Sequence, residues 1–327
     1  MPEQTFIEAI RSALADEMAA DERVMVMGED VAVKGGVFLA TDGLLARFGD
    51  LRVIDMPIAE AGIVGAASGA ALHGMRPVAE IQFADYIHPA IDQILNEAAR
   101  MRYRSNGDWG CPIVVRAPFG AGIHGALYHS QSTEALFTST PGIKVVIPST
   151  PHDAKGLLVA AIRDPDPVVF FEHKGLYRSL RSEVPAGLYE VPLGSAVVRR
   201  AGSDMSVLTY GLMTHYALEA AEALAREGLE AEVLDLRTLA PLDREAILAT
   251  VRKTGRALVL HEDNLTGGVG GEVAALIGEH AFEYLDAPVR RIGAPDVFSA
   301  PFSDELEAHF MLTPAKVLAA MRALAAY

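Results

Sequence analysis

An α/β fold in two doubly wound, mostly parallel-sheet domains is predicted by three observations. The chain has 327 residues, which at roughly 150 residues per domain is enough for two. Segments of helical period alternate with short β-branched runs, the pattern of parallel strands joined by crossover helices. A stretch carrying Arg178, Arg181, Pro185, Gly187, Pro192 and Arg199-Arg200 interrupts the alternation, which then restarts. The boundary is set near residue 185, giving a domain of residues 1–185 and a second of residues 186–327.

The elements follow in order. Phe6, Ile10, Leu14 and Met18 recur every four residues and mark an amphipathic helix. Val24 to Met27 reads as a strand, Glu60 to Gly74 as a helix of small residues, and Pro77 to Ile81 as a strand. Tyr86 to Arg102 reads as one long helix. Pro112 to Arg116, Lys144 to Ile147 and Val168 to Phe171 are strands, with a helix Ala154 to Ile162 between the last two. Gly175 to Gly202 is read as a linker with a few short strands. Beyond it, Ser206–Tyr210, Ala231–Leu236, Ala257–His261 and Val289–Ile292 read as strands. Tyr216–Glu227, Arg244–Lys253, Gly271–Tyr284 and Pro314–Ala325 read as helices, the last with proline in its first turn.

Composition narrows the function. The 43 acidic against 28 basic residues give a formal charge of −15, which disfavours nucleic acid and anionic membrane as partners and suits a basic protein. The lone Cys111 permits no internal disulfide and reads as a small buried residue in a reducing compartment. No signal peptide is visible at Met1-Pro2-Glu3-Gln4-Thr5. Ala61 to Met75 is too short to span a bilayer, so a cytoplasmic protein is expected.

Several motifs are set aside. Gly267-Gly268-Val269-Gly270-Gly271 lacks the spacing of a dinucleotide loop and reads as the start of a helix at Gly271. No phosphate loop, His-Glu-x-x-His, CxxC or Gly-x-Ser-x-Gly occurs.

Three stretches are unusual for a plain core. In Pro57-Ile58-Ala59-Glu60-Ala61-Gly62-Ile63-Val64-Gly65-Ala66-Ala67-Ser68-Gly69, a carboxylate stands in the first turn of a helix that is otherwise apolar and small. Helix-interior glycines such as Gly65 and Gly69 cost about 0.5–1 kcal/mol each relative to alanine, and close approach of another helix would offset that. In Glu80-Ile81-Gln82-Phe83-Ala84-Asp85-Tyr86-Ile87, polar groups cluster where a strand gives way to a helix, the edge at which parallel sheets bind ligands. In Gly120-Ala121-Gly122-Ile123-His124-Gly125-Ala126-Leu127-Tyr128-His129-Ser130-Gln131-Ser132, two histidines and a tyrosine share a glycine-rich loop suited to proton handling. The plain alternatives are a helix-dipole role for Glu60, capping by Asp85 and inert surface histidines.

With Met27-Gly28-Glu29-Asp30-Val31, Gly35-Gly36-Val37-Phe38, Pro141-Gly142-Ile143-Lys144-Val145 and Leu234-Asp235-Leu236-Arg237-Thr238, these stretches resemble, nearly end to end, the beta subunit of the thiamine-diphosphate-dependent 2-oxo acid dehydrogenases. Gly-Gly-Val-Phe and His-Gly-Ala-Leu-Tyr-His-Ser-Gln-Ser resemble the branched-chain type more than the pyruvate or acetoin type. His88 and His173 depart from the family, where Phe and Pro are common.

The resemblance implies a transketolase-like pyrimidine-binding domain followed by a transketolase C-terminal-like domain for assembly and acyltransferase docking. It places Glu60 on the glutamate that bonds the aminopyrimidine ring of thiamine diphosphate. Ile58, Gln82 and Tyr86 fall on positions lining that pocket, and His129 on a histidine that aids acyl transfer to lipoyl. A monovalent cation, K+, would sit near Ile113, Val114, Ala161, Asp164 and Asp166, and Gly65 and Gly69 would meet another subunit. The Gly-Asp-Gly to Asn-Asn segment that holds diphosphate through Mg is absent. An alpha subunit would supply that half, in a heterotetramer of two alpha and two beta chains that passes acyl groups to the lipoyl-lysine of a dihydrolipoyl acyltransferase. The rivals are a pyruvate or acetoin dehydrogenase beta chain, a self-contained transketolase-like enzyme, and a non-catalytic assembly scaffold.

Overall fold

The computed structural model describes residues 2–327. Two compact units emerge: residues 1–119 with 136–193, and residues 120–135 with 194–327. The chain thus passes from the first unit to the second at Leu193/Gly194. A short excursion, Gly120–Ala135, belongs with the second unit.

The first unit contains the strands β1 (Glu3–Thr5), β2 (Val24–Gly28), β3 (Val53–Asp55), β4 (Arg76–Glu80), β5 (Val114–Phe119), β6 (Lys144–Val146), β7 (Val168–His173) and β8 (Arg181–Glu183). Its main sheet runs β6-β7-β5-β4-β2-β3, with every neighbouring pair parallel. β1 and β8 form a small antiparallel pair. The amphipathic helix Phe6–Ala20 starts on a capping box. Thr5 Oγ1 accepts from the Glu8 N–H (3.3 Å), and Glu8 Oε2 accepts from the Thr5 N–H (2.6 Å).

Three central strands are joined by side chains as well as backbone. Arg116 on β5 is fully buried. Its Nη1 donates to Glu80 Oε2 on β4 (2.7 Å), while Nε and Nη2 donate to the two oxygens of Glu172 on β7 (2.6 and 2.8 Å). Tyr177 Oη also donates to Glu172 Oε2 (2.7 Å). Burial alone would loosen the proton on Arg116, but the Glu172 and Glu80 carboxylates more than reverse that, so the guanidinium stays charged.

The long helix expected from Tyr86 to Arg102 is broken up. Three-residue turns at Ala84–Tyr86 and His88–Ala90 lead into a wide-turned stretch Gln93–Ala98 and a single α turn Met101–Arg104. Pro89 has no N–H to continue a helix, and the Ala99 N–H reaches back five residues to Ile94 O (3.0 Å), the bonding of a π-bulge.

The second unit contains β9 (Val197–Arg200), β10 (Met205–Thr209), β11 (Ala231–Asp235), β12 (Thr238–Ala240), β13 (Ala257–Asn264) and β14 (Arg290–Ala294). Its sheet runs β14-β13-β10-β11-β9, parallel except for the antiparallel edge β9. Val207, Val233, Leu258 and Leu260 build its core with Met213, Leu224, Val317 and Met321 of two helices, Leu212–Ala225 and Pro314–Ala325.

The glycine-rich motif opens a helix at Val269, two residues earlier than expected. His261 explains its composition. A Cβ on Gly270 would lie 2.5 Å from His261 Nε2 and one on Gly268 would lie 2.7 Å from Cε1, so only glycine lets the backbone close over the ring. Among the described residues, no helix is long and apolar enough to cross a membrane.

Removing one partner of a buried ion pair typically costs about 3–5 kcal/mol. Arg116→Met, which strands Glu80 and Glu172 against apolar neighbours, should lower stability to denaturant by that amount. A loss below about 1 kcal/mol, the level of an exposed pair, would show that the three-strand staple contributes little.

Candidate functional site

The strand order reverses at β2. The chain goes from β2 to β3 on one side and then to β4 on the other. In parallel sheets the crevice beyond the carboxyl ends at such a reversal is the ligand edge. The register aligns Gly28 with Asp55 on β3 and with Glu80 on β4. The segments that leave these three ends at the same edge of the sheet carry Glu29 after β2, Ile58 and Glu60 after β3, and Gln82 and Tyr86 after β4.

Each of these loops is tied down locally. The Asp55 carboxylate accepts the N–H groups of Ala32 (2.7 Å) and Val33 (3.3 Å), and the Met56 N–H donates to Gly28 O (2.8 Å). In the Gly35-Gly36-Val37-Phe38 loop, the Gly36 N–H donates to Asp30 O (2.9 Å) and the Thr41 N–H to Gly35 O (3.0 Å). Phe38 packs on Tyr177 (5.1 Å between ring centres) and edge-on to Phe83 (5.4 Å), which in turn meets Tyr86 edge-on (5.8 Å). A row of rings thus links the Arg116 network to Tyr86.

Glu60 begins the helix Glu60–Leu72 and is half-buried, while Ile58 is 77% exposed. Burial, then the charges of Asp30 and Glu60, raises the Glu29 carboxyl above its ordinary range. The Tyr86 phenol is raised by burial and by Asp85, Glu29 and Glu60. Glu29, Glu60 and Tyr86 therefore share one electrostatic environment. Sequence reading gave Glu29 no role of its own. Its signal was its place directly after β2, beside Asp30. Asp85 is buried inside the turn Ala84–Tyr86 and not at its cap.

Gly65 and Gly69 differ in their surroundings. A Cβ on Gly65 would lie 3.3 Å from Gln93 Oε1 of the same unit, whereas one on Gly69 would meet nothing within 4 Å. Cys111 is buried, and burial pushes its thiol up to about 11, an inert setting for a thiol.

The residues expected near a cation come together at the turn after the helix Pro151–Arg163. Asp164 accepts from Lys144 Nζ (2.8 Å) and from the Asp166 N–H (2.9 Å), and Asp166 accepts from Arg102 Nε (2.6 Å). Ala161 O accepts from the Asp164 N–H (3.3 Å), and Ile113 O from the Val168 N–H (3.0 Å), next to Val114 on β5. Lys144 and Arg102 already neutralise the two carboxylates. Among the described residues no group of three or more His, Cys, Asp or Glu side chains is set to hold a metal ion.

His129 lies in the excursion Gly120–Ala135, which packs with the second unit. Its N–H donates to Ala126 O (3.3 Å), and its Nδ1 lies 3.2 Å from Gly125 O. A Cβ on Gly125 would stand 2.6 Å from His129 Cβ, so the absence of a side chain there lets the loop fold over the histidine.

A two-domain α/β chain with this ligand edge defines the transketolase type of architecture. Residues 3–179 match the family model of the transketolase pyrimidine binding domain, and residues 194–317 that of the transketolase C-terminal domain. The chain is 56% identical over 327 residues to 2-oxoisovalerate dehydrogenase subunit beta of Bacillus subtilis, covering 100% of both. It is 52% identical over 303 residues to the pyruvate dehydrogenase E1 component subunit beta of the same organism, covering 93% of each. With 2-oxoisovalerate dehydrogenase subunit beta of Pseudomonas aeruginosa it shares 46% over 334 residues, covering 97% of this chain and 94% of the relative. Among solved structures, a split-gene transketolase described as an inactive beta4 tetramer matches with a TM-score of 0.80 at 27% identity, covering 98% of both chains. The chain belongs to the beta subunits of the 2-oxo acid dehydrogenases, a family of oxidoreductases built on transketolase-type domains.

Gly125→Ala should displace His129 and leave the sheet intact. The expected result is a changed NMR shift for the His129 ring protons with a melting midpoint within about 4 °C of wild type. Unchanged ring shifts would contradict the tight packing of Gly125 on His129.

Proposed function

We propose that this chain, joined to an alpha subunit in a heterotetramer of two alpha and two beta chains, decarboxylates a branched-chain 2-oxo acid on thiamine diphosphate and passes the acyl group to lipoyl-lysine of a dihydrolipoyl acyltransferase. The observation that carries this reading is the gathering of Glu29, Glu60 and Tyr86 at the ends of β2, β3 and β4. The donor set fits the aminopyrimidine half of the cofactor: a carboxylate for a protonated ring nitrogen, an amide, an aromatic ring and an apolar side chain. It does not fit the diphosphate, which two carboxylates would repel. That half and its Mg belong to the alpha subunit.

Thiamine diphosphate, when bound, supplies the carbon nucleophile and the electron sink. Glu60 accepts the proton-bearing aminopyrimidine nitrogen and so holds a proton there. Gln82 and Tyr86 orient the ring, and Ile58 closes the apolar side. His129 serves as the proton donor and acceptor in acyl transfer. Any K+ near Ile113, Val114, Ala161, Asp164 and Asp166 would be held by carbonyl oxygens, since the carboxylates there are already paired. No chemical step runs through it. A cytoplasmic location accords with the bacterial relatives of this type.

The 52% identity to a pyruvate dehydrogenase beta chain supports a second reading, in which pyruvate is the substrate. The ratio of kcat/KM for 3-methyl-2-oxobutanoate and pyruvate, measured on the assembled enzyme, decides between them.

Well-placed proton transfer contributes about 10²–10⁴ in rate, and Glu60→Gln in the assembled enzyme should lower decarboxylation by at least the smaller factor with the fold retained. A normal rate would remove Glu60 from its role. His129→Ala should depress acylation of a lipoyl domain far more than decarboxylation, and equal loss of both would contradict a role confined to acyl transfer.

A further inference from the structure

The excursion Gly120–Ala135 is a strained loop. His124 and Ala126, neither of them glycine, adopt φ of 54° and 52°, a left-handed conformation that persists only where the surroundings over-determine it. Two carboxyl groups hold the ends of the loop in the second unit's interior, Glu262 from outside it and Glu134 from within it. At the start of the loop, the Ala121 N–H donates to Glu262 Oε1 (2.6 Å), and Ala121 packs among Ala294, Ala300 and Phe310. At its end, Glu134 is fully buried and its Oε1 accepts from Tyr210 Oη (2.8 Å). The Gly120 N–H donates to Gln131 O (3.1 Å), which closes the segment into a ring around His129. His124 adds a third tether, with Nδ1 2.7 Å from Glu307 Oε2.

The chemistry of Glu134 is distinctive. Its Oε2 makes no hydrogen bond and is buried, an arrangement that is costly for a carboxylate and tolerable for a carboxylic acid. Burial, followed by the charge of Asp263, pushes its proton affinity well up. Glutamine is the near-isostere of the neutral acid that such a setting favours.

We propose that Glu134 and Glu262 are positioning residues for His129: they pin the two ends of the strained loop to the second unit and so fix where the imidazole stands. Neither needs to touch substrate. The inference deepens the reading that His129 serves acyl transfer, and it rests on that reading for its catalytic consequence only.

The test uses the assembled enzyme with Glu134→Leu, Glu134→Gln and, as a milder cut, Tyr210→Phe. Hydrogen exchange of peptides within 121–131 reports the pinning, and the ratio of lipoyl-domain acylation to decarboxylation reports its consequence. Glu134→Leu should speed exchange in 121–131, and lower that ratio, each by about tenfold. Glu134→Gln should restore both to within about twofold, because it matches the neutral acid. Tyr210→Phe should fall between and serves if the leucine variant does not fold. Unchanged exchange in both Glu134→Leu and Tyr210→Phe overturns the pinning. Faster exchange with an unchanged ratio overturns the positioning role, provided His129→Ala lowers the ratio. If His129→Ala leaves the ratio unchanged, the role of His129 fails, and the exchange result still decides whether the loop is pinned.

Discussion

One buried cation organises the first unit. Arg116 reaches from the central strand to a carboxylate on each neighbour, so its charge ties β4, β5 and β7 at one level of the sheet. Such a cluster is a weak source of net stability, since desolvating three charges nearly cancels their attraction. Its value is registration. A one-residue slip of any of the three strands would leave a charge unpaired in the core. Glu172 also accepts from Tyr177, and the rings of Tyr177, Phe38, Phe83 and Tyr86 run in contact from there to the ligand edge. Tyr86 at the ligand edge is thus braced by a network rooted in the buried core of the sheet.

Much of this was legible in the sequence, and the reasons differ by element. Alternating period gave the longer strands and most helices, because each is a short β-branched run or buries one stripe, but the three-residue strands β1, β3 and β12 are too short to show a period and were not read. The proposed roles of Glu60, Gln82 and Tyr86 came from the family resemblance; the sequence by itself showed only polar groups near the carboxyl ends of strands, where a parallel sheet binds ligands. The helix expected at Tyr86–Arg102 failed because apolar spacing says nothing about the missing N–H of Pro89 or the wide turn near Ile94. Arg116, Glu172 and Tyr177 were invisible for a different reason. Each sits in or just after an apolar strand run, and only the register across three strands shows that they meet. Glu134 and Tyr210, 76 residues apart in sequence, pair through the same kind of non-local geometry. The demand that the Gly267–Gly271 motif meets, room for the His261 ring, could not be read from spacing.

The family implies an alpha-subunit partner, and the helix Glu60–Leu72 has an unusual exposed face. Apart from Glu60 in its first turn and the buried Ser68, it is apolar on every side. Ile63, Val64 and Ala67 are buried, yet Ala61, Gly62, Ala66, Gly69 and Leu72 are exposed. A surface helix normally turns a polar face to water, so this one accords with the alpha subunit that the family implies. The helix that begins with Glu60 also exposes a small, smooth face.

The central claim is that this chain holds only the pyrimidine half of a thiamine diphosphate site. Calorimetric titration of thiamine diphosphate with Mg2+ into the chain alone, and into the chain mixed with its alpha subunit, tests it most directly. The account predicts no binding heat for the chain alone and stoichiometric binding for the mixture. Saturable, stoichiometric binding by the isolated chain would contradict it.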